Sequence, residues 1–136
     1  LLACRPASLF IANRNVDKAK ALAREFSDLA AVDAGNFAKT AGHGFDIVIN
    51  ATSASLSGES LPLPPGIFAP GSLAYDMMYG KGETPFLALA RQQGAAQLAD
   101  GLGMLVEQAA EAFLVWRGVR PETAPVLAEL RHQLTA

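Results

Sequence analysis

Charge is sparse in this 136-residue chain and cysteine is almost missing: 18% of residues are charged, Asp and Glu outnumber Lys and Arg by 13 to 11, and Cys4 is the sole cysteine. One cysteine excludes an internal disulfide and any cysteine-rich metal centre, and it leans towards a reducing cytoplasm. A net charge of −2 with a pI near 5.6 implies no general attraction to nucleic acid or to a membrane surface, so any cation that matters must act locally. No apolar run approaches the roughly 18–20 residues of a membrane span. "LLACRP" is too short for the apolar region of a signal peptide. The chain also lacks an initiator Met, and "LLA" reads like the end of an apolar helix, so a fragment of a longer protein is expected.

What is present is a hydrophobic fraction of 51%, enough for a soluble α/β domain with a core. "SLFIAN" (8–13) reads as a buried strand. The helix over 16–26 carries Val16, Ala19, Leu22, Ala23 and Phe26 on one stripe. "LAAVD" (29–33) is a short strand, and "NFAKTAG" a weak helical segment ending at Gly42. "FDIVINAT" (45–52) has three consecutive β-branched residues and fits a parallel strand covered on both faces. Residues 53–71 read as a loop, with Pro62, Pro64, Pro65 and Pro70 opposing regular structure. "SLAYDMMY" (72–79) is the next strand. Thr84 caps a helix that has Pro85 at its first position and runs to Gly94. A strand over 95–99 follows. Asp100 caps a long helix through Trp116, and a last helix from about Thr123 has Leu127, Leu130 and Leu134 at helical spacing.

Alternating strands and helices imply a mostly parallel sheet, whose ligands bind beyond the carboxyl ends of the strands. Four predicted strand ends carry polar or flexible groups: "NRN" (13–15), "NATS" (50–53), "DMMY" (76–79) and "DGLG" (100–103). In a dinucleotide-binding unit an acid at the end of the second strand selects NAD, whereas a basic residue accommodates the 2′-phosphate of NADP. Here the strand ends with Asn13 and Arg14 and no acid. Lys18 returns to the same side one turn later, and Asn15 is placed to cap the helix. Two cations beside free helix N–H groups make a phosphate seat. A solvated basic turn is the alternative, and the missing acid tips the choice towards NADP.

The other strand ends are less specific. Asn50 and Thr52 could flank a cofactor or merely satisfy backbone at a strand end. Gly101, Met104 and Gln108 share one helix face, and Gln108 could offer a donor and an acceptor to a polyol. A core Met104 and a solvated Gln108 would explain the spacing equally well. His43 and His132 read as surface residues. Asp76 and Tyr79 could titrate, but nothing in the sequence pairs either into a catalytic dyad. The G-x-G-x-x-G turn of dinucleotide folds is absent, and a turn of that kind is expected within roughly a dozen residues upstream of Leu1.

"ANRNVDKA", "DIVINATS", "YDMMYGKGETPFL" and above all "ADGLGMLVEQAAEAFLVWRGVRP" resemble the shikimate dehydrogenases, over essentially the whole chain. The resemblance implies a partial Rossmann-like NADP-binding domain at 1–100, lacking its first strand and glycine-rich loop. It also implies that 101–136 are helices associated with a substrate domain that precedes these residues. The implied reaction is the reversible, NADPH-dependent reduction of 3-dehydroshikimate to shikimate. By motif, Asn13, Arg14, Asn15 and Lys18 would hold the 2′-phosphate end of NADP. Thr52 and Ser53 would line the cofactor cleft, Met77 and Met104 would border the nicotinamide, and Gly101 would touch the cofactor near its reactive end. Tyr79 and Gln108 would contact shikimate. The family's catalytic Lys–Asp pair belongs to the substrate domain, so no catalytic residue is expected in this chain and the fragment alone should be inactive. Asn15 stands where the family usually has Thr, and Ser55 where it commonly has Gly. The implied protein is cytoplasmic, a monomer or homodimer, and acts on a small molecule with no metal, nucleic acid or membrane. An NAD-dependent quinate/shikimate dehydrogenase and a non-catalytic nucleotide-binding module are the competing readings.

Overall fold

The computed structural model describes residues 1–52 and 61–135. These residues form an α/β protein with parallel strands, as expected. It divides into two compact units, Leu1–His43 with Pro62–Ile67, and Gly44–Leu61 with Phe68–Ala136. Among the described residues no helix is long and apolar enough to cross a membrane.

In the first unit, β1 (Phe10–Ala12) pairs in parallel with β2 (Asp33–Gly35), Ile11 opposite Ala34. Helix α1 (Val16–Glu25) connects them. It buries Ala19 and Ala23, four residues apart on one face. Leu22 and Phe26, assigned to the same stripe from spacing, remain 43% and 39% exposed. The small alanines let the helix axis approach the short sheet closely, leaving the larger side chains at the rim of the contact. The second strand also lies later than the expected 29–33. Residues 29–32 are irregular, and pairing begins only at Asp33, whose amide donates to the Leu9 carbonyl. "NFAKTAG" yields a single 3-10 turn, Phe37–Thr40, capped by the Asn36 side chain.

In the second unit, β3 (Phe45–Asn50), β4 (Phe68–Asp76) and β5 (Gln97–Ala99) form a parallel sheet in that order. Strand β4 starts earlier than the sequence suggested and includes Pro70. Its register with β3 jumps from Phe45↔Phe68 to Ile47↔Leu73. That irregularity accommodates both the missing Pro70 N–H and Gly71 at φ 82°. The same strand ends at Asp76 rather than Tyr79, because 77–79 depart to follow other bonds. Helix α2 (Pro85–Gln92) buries Phe86, Leu87 and Ala90 while β4 buries Ala74, each large apolar side chain contributing about 1.5–3 kcal/mol. Helix α3 (Leu102–Arg117) hides Leu102, Val106 and Ala110 on one stripe and ends at Gly118 in the left-handed conformation. Helix α4 (Ala124–Thr135) packs against it. Strand β3 was expected to be covered on both faces. Among the described residues it is an edge of its sheet, and Ile47 and Ile49 on one face remain 59% and 38% exposed.

Candidate functional site

The four polar strand ends read from the sequence are strand ends in the structure: β1 stops before Asn13, β3 at Asn50, β4 at Asp76 and β5 before Asp100. Two clusters result, one in each unit.

The first is built on the turn between β1 and α1. Asn13 Oδ1 accepts from the Asn15 amide at 2.9 Å. Asn15 Oδ1 accepts from the amides of Asp17 and Lys18 at 3.1 and 3.2 Å, making it the N-cap of α1. The cap predicted for Asn15 is therefore present. It also changes the anion argument, because the 17 and 18 amides are engaged by Asn15 rather than free. An anion here would have to rely on side chains. Arg14 and Lys18 are exposed, and among the described residues neither makes an ion pair. Asp17 in the first turn offsets part of the local charge without pairing to them. Two open cations beside the positive end of a helix fit a doubly charged phosphate.

The second cluster ties together the ends of β3, β4 and β5. Asp76, with no exposed surface, is its hub. Its Oδ1 accepts from Asn50 Nδ2 at 3.1 Å and from the Met78 amide at 3.1 Å, and its Oδ2 accepts from the Thr84 hydroxyl at 2.6 Å. Asn50, also buried, passes the network on: its Oδ1 accepts from the Thr52 amide at 3.1 Å and the Thr52 hydroxyl at 2.8 Å. Thr84 in turn accepts from the Leu87 amide and caps α2. A buried carboxylate is tolerated only when its lone pairs are filled in this way. Sequence reading noticed Asp76 as a titratable group and missed this role. Its partners lie 26 and 8 residues away, and only the cap at Thr84 left a local signal.

Around this hub the sequence-predicted residues fall as follows. Thr52 is bound to Asn50. Met77 follows the hub directly, its amide donating to the Asn50 carbonyl at 3.0 Å. Gly101 lies against Met77 so closely that a Cβ there would sit 2.0 Å from the Met77 carbonyl oxygen. The Gly101 amide donates to the Met78 carbonyl at 3.0 Å. Met104 stands half-buried one turn along α3, while Gln108 and Tyr79 are exposed and their side chains make no hydrogen bond among the described residues. Ser53 lies outside the described residues.

Asp100 was expected to cap α3, but the N-cap is Gly101, which has no side chain to do so; Asp100 sits one residue earlier, its Oδ1 accepting from the Leu102 amide at 3.2 Å. Asp100 further receives two hydrogen bonds from the Arg131 guanidinium, at 2.5 and 2.8 Å. That pairing holds the Asp100 carboxyl below the usual carboxylate range, against the opposing effect of its partial burial. A recess of about 520 Å³ opens beside it, lined among others by Tyr75, Leu87, Leu98, Met104 and Arg131. The histidines stay peripheral: His43 is exposed with its ring 6.2 Å from that of Phe10, and His132 is exposed on α4. Among the described residues no group of three or more His, Cys, Asp or Glu side chains could hold a metal ion. The arrangement ties the ends of β3, β4 and β5 together through buried hydrogen bonds centred on Asp76.

Residues 101–131 match the family model of the Shikimate 5'-dehydrogenase C-terminal domain. Over 136 residues the chain is 78% identical to the shikimate dehydrogenase (NADP(+)) of Dechloromonas aromatica, covering all of this chain and 50% of that protein. The chain thus spans about half the length of the curated relatives it matches. Among solved structures, an Ael1 enzyme from Pseudomonas putida superposes with a TM-score of 0.83 at 53% identity, over 96% of this chain and 46% of that one. The shikimate 5-dehydrogenase of Thermus thermophilus in complex with NADP(H) and shikimate gives a TM-score of 0.78 at 29% identity, over 97% and 48%. Alike in sequence throughout and in fold, with the turn at Gly101 opening the matched segment, the chain belongs to the shikimate dehydrogenase family and corresponds to the C-terminal portion of its members.

Proposed function

We propose that the polypeptide carrying these residues catalyses the reversible, NADP-dependent interconversion of 3-dehydroshikimate and shikimate. The observation that carries this reading is the packing of Gly101 on Met77 within the hub of Asn50, Asp76 and Thr84. It fixes three strand ends in one rigid group, and rigid placement is what a hydride transfer requires. Relatives named as NADP(+)-dependent shikimate dehydrogenases, 78% and 66% identical over nearly all of these residues, support the choice of reaction.

In this reading residues 1–100 bind NADP and 101–136 accompany a substrate domain. Arg14 and Lys18 neutralise the 2′-phosphate, with Asn13 and Asn15 shaping the turn beneath it. Thr52 lines the cleft. Met77 and Met104 present soft, water-excluding surfaces to the nicotinamide, and Gly101 contacts the cofactor near its reactive end. Tyr79 and Gln108 reach the substrate hydroxyls. When bound, NADPH supplies the hydride. The proton is handled by a Lys–Asp pair in the substrate domain, so residues 1–136 alone lack turnover. The protein is proposed to be cytoplasmic, and to act as a monomer or homodimer. The test is shikimate oxidation followed through the absorbance of the reduced nicotinamide, with NADP⁺ and with NAD⁺, by the full-length protein and by residues 1–136. Turnover by the full-length protein with NADP⁺ preferred, and none by residues 1–136, is expected. Absence of shikimate oxidation in the full-length protein would overturn the reading.

A further inference from the structure

Arg131 lies on α4, 31 residues beyond Asp100, and is 47% exposed, yet its guanidinium closes on a carboxylate that is only 10% exposed. The contact is bidentate, the geometry in which Arg fixes a carboxylate in orientation as well as in place. Asp100 is the residue between β5 and the turn at Gly101, and its Oδ1 is shared between Arg131 and the first amide of α3. The next residue has no freedom to settle elsewhere. Gly101 abuts the Met77 carbonyl, and its amide is bonded to Met78. A shift at Asp100 is therefore transmitted to the backbone of Met77 and, through the first turn of α3, to Met104. Without Arg131, Asp100 would keep only backbone hydrogen bonds, from the amides of Leu102 and of Asp100 itself, beside the recess that both side chains now line.

We infer that Arg131 is a positioning residue: acting through Asp100, it holds the β5–α3 turn and thereby sets the placement of Met77 and Met104. Its consequence for hydride transfer rests on the function proposed above; the positioning itself does not. Two measurements on the full-length protein separate them. Hydrogen exchange at the Leu102 amide reads local opening of the turn, and steady-state kinetics of shikimate oxidation read its effect on chemistry. Arg131→Gln should speed Leu102 exchange and lower kcat by roughly 3–10-fold, a small part of the loss that misplaced reacting groups can cause. KM for shikimate should stay close to wild type. Arg131→Lys, which keeps the charge but loses the fork, should recover part of both. Unchanged exchange at Leu102 in Arg131→Gln would overturn the inference, as would wild-type kcat in an active enzyme. If the wild type does not oxidise shikimate, the proposed function falls and the exchange result alone decides the positioning role.

Discussion

At the scale of single residues, the two glycines at the start of α3 make opposite demands. A Cβ on Gly101 would lie 2.0 Å from a backbone oxygen that cannot yield, whereas one on Gly103 would meet nothing within 4 Å. Gly101→Ala should cost more than the about 1–3 kcal/mol typical of overpacking and displace Met77. Gly103→Ala should be neutral or stabilise by up to about 1 kcal/mol, because Ala is the better helix former. Thermal unfolding of the two variants checks the contrast, and similar losses would contradict it. Thr84 carries two duties, a bond to the Asp76 carboxylate and the cap of α2. Thr84→Val should therefore lose about 2–3 kcal/mol and Thr84→Ser much less, a difference readable by urea unfolding. The sequence made some of this visible and hid the rest. Caps are local, so Asn15 and Thr84 could be read from neighbours in the chain, whereas the cap of α3 was placed one residue early, at Asp100 instead of Gly101. The hub at Asp76 and the pairing of Asp100 with Arg131 join residues far apart in sequence, and nothing beside them announces a partner.

At the scale of elements, the strongest sequence signals were those with a single physical cause. Pro85 after Thr84 places the start of α2. Strand bounds were less legible. Pro70 argued for a loop, yet β4 runs through it, because a register irregularity absorbs what a proline cannot donate. The stripe on α1 was read from hydrophobicity, but the contact is made by its alanines, since close approach rewards small side chains. The stretch between α3 and α4 is clasped by charge: Arg120 binds Glu111 at 2.8 Å and Glu107 at 2.5 Å, one turn apart on α3. Glu107 is held below its ordinary range first by a hydrogen bond from Thr123 and then by Arg120. All three charged groups face solvent, so the clasp should fade with salt. Arg120→Ala should leave the unfolding midpoint nearly unchanged at high ionic strength, and a large salt-independent loss would show that the clasp is more than a surface interaction.

At the scale of the whole molecule, two electrostatic consequences can be separated by pH and by cofactor. Asp100 titrates below its unfolded value, so its pairing with Arg131 stabilises the fold above about pH 4 and is lost as pH falls through the depressed folded value. The stability gap between wild type and Arg131→Gln should accordingly be full at about pH 7 and shrink below about pH 4, as followed by denaturant unfolding at both ends. A gap that does not narrow would mean that the pair is not what Arg131 contributes. The second consequence is cofactor choice. With a net charge of only −2, the chain exerts no broad pull on anions, and in the proposed reading discrimination comes from Arg14 and Lys18 at the capped start of α1. The most direct test is fluorescence titration of NADPH and NADH with wild type and Arg14→Glu at one ionic strength. NADPH affinity should fall on the order of 100-fold while NADH affinity barely moves; equal losses for both cofactors would contradict a 2′-phosphate seat at this turn.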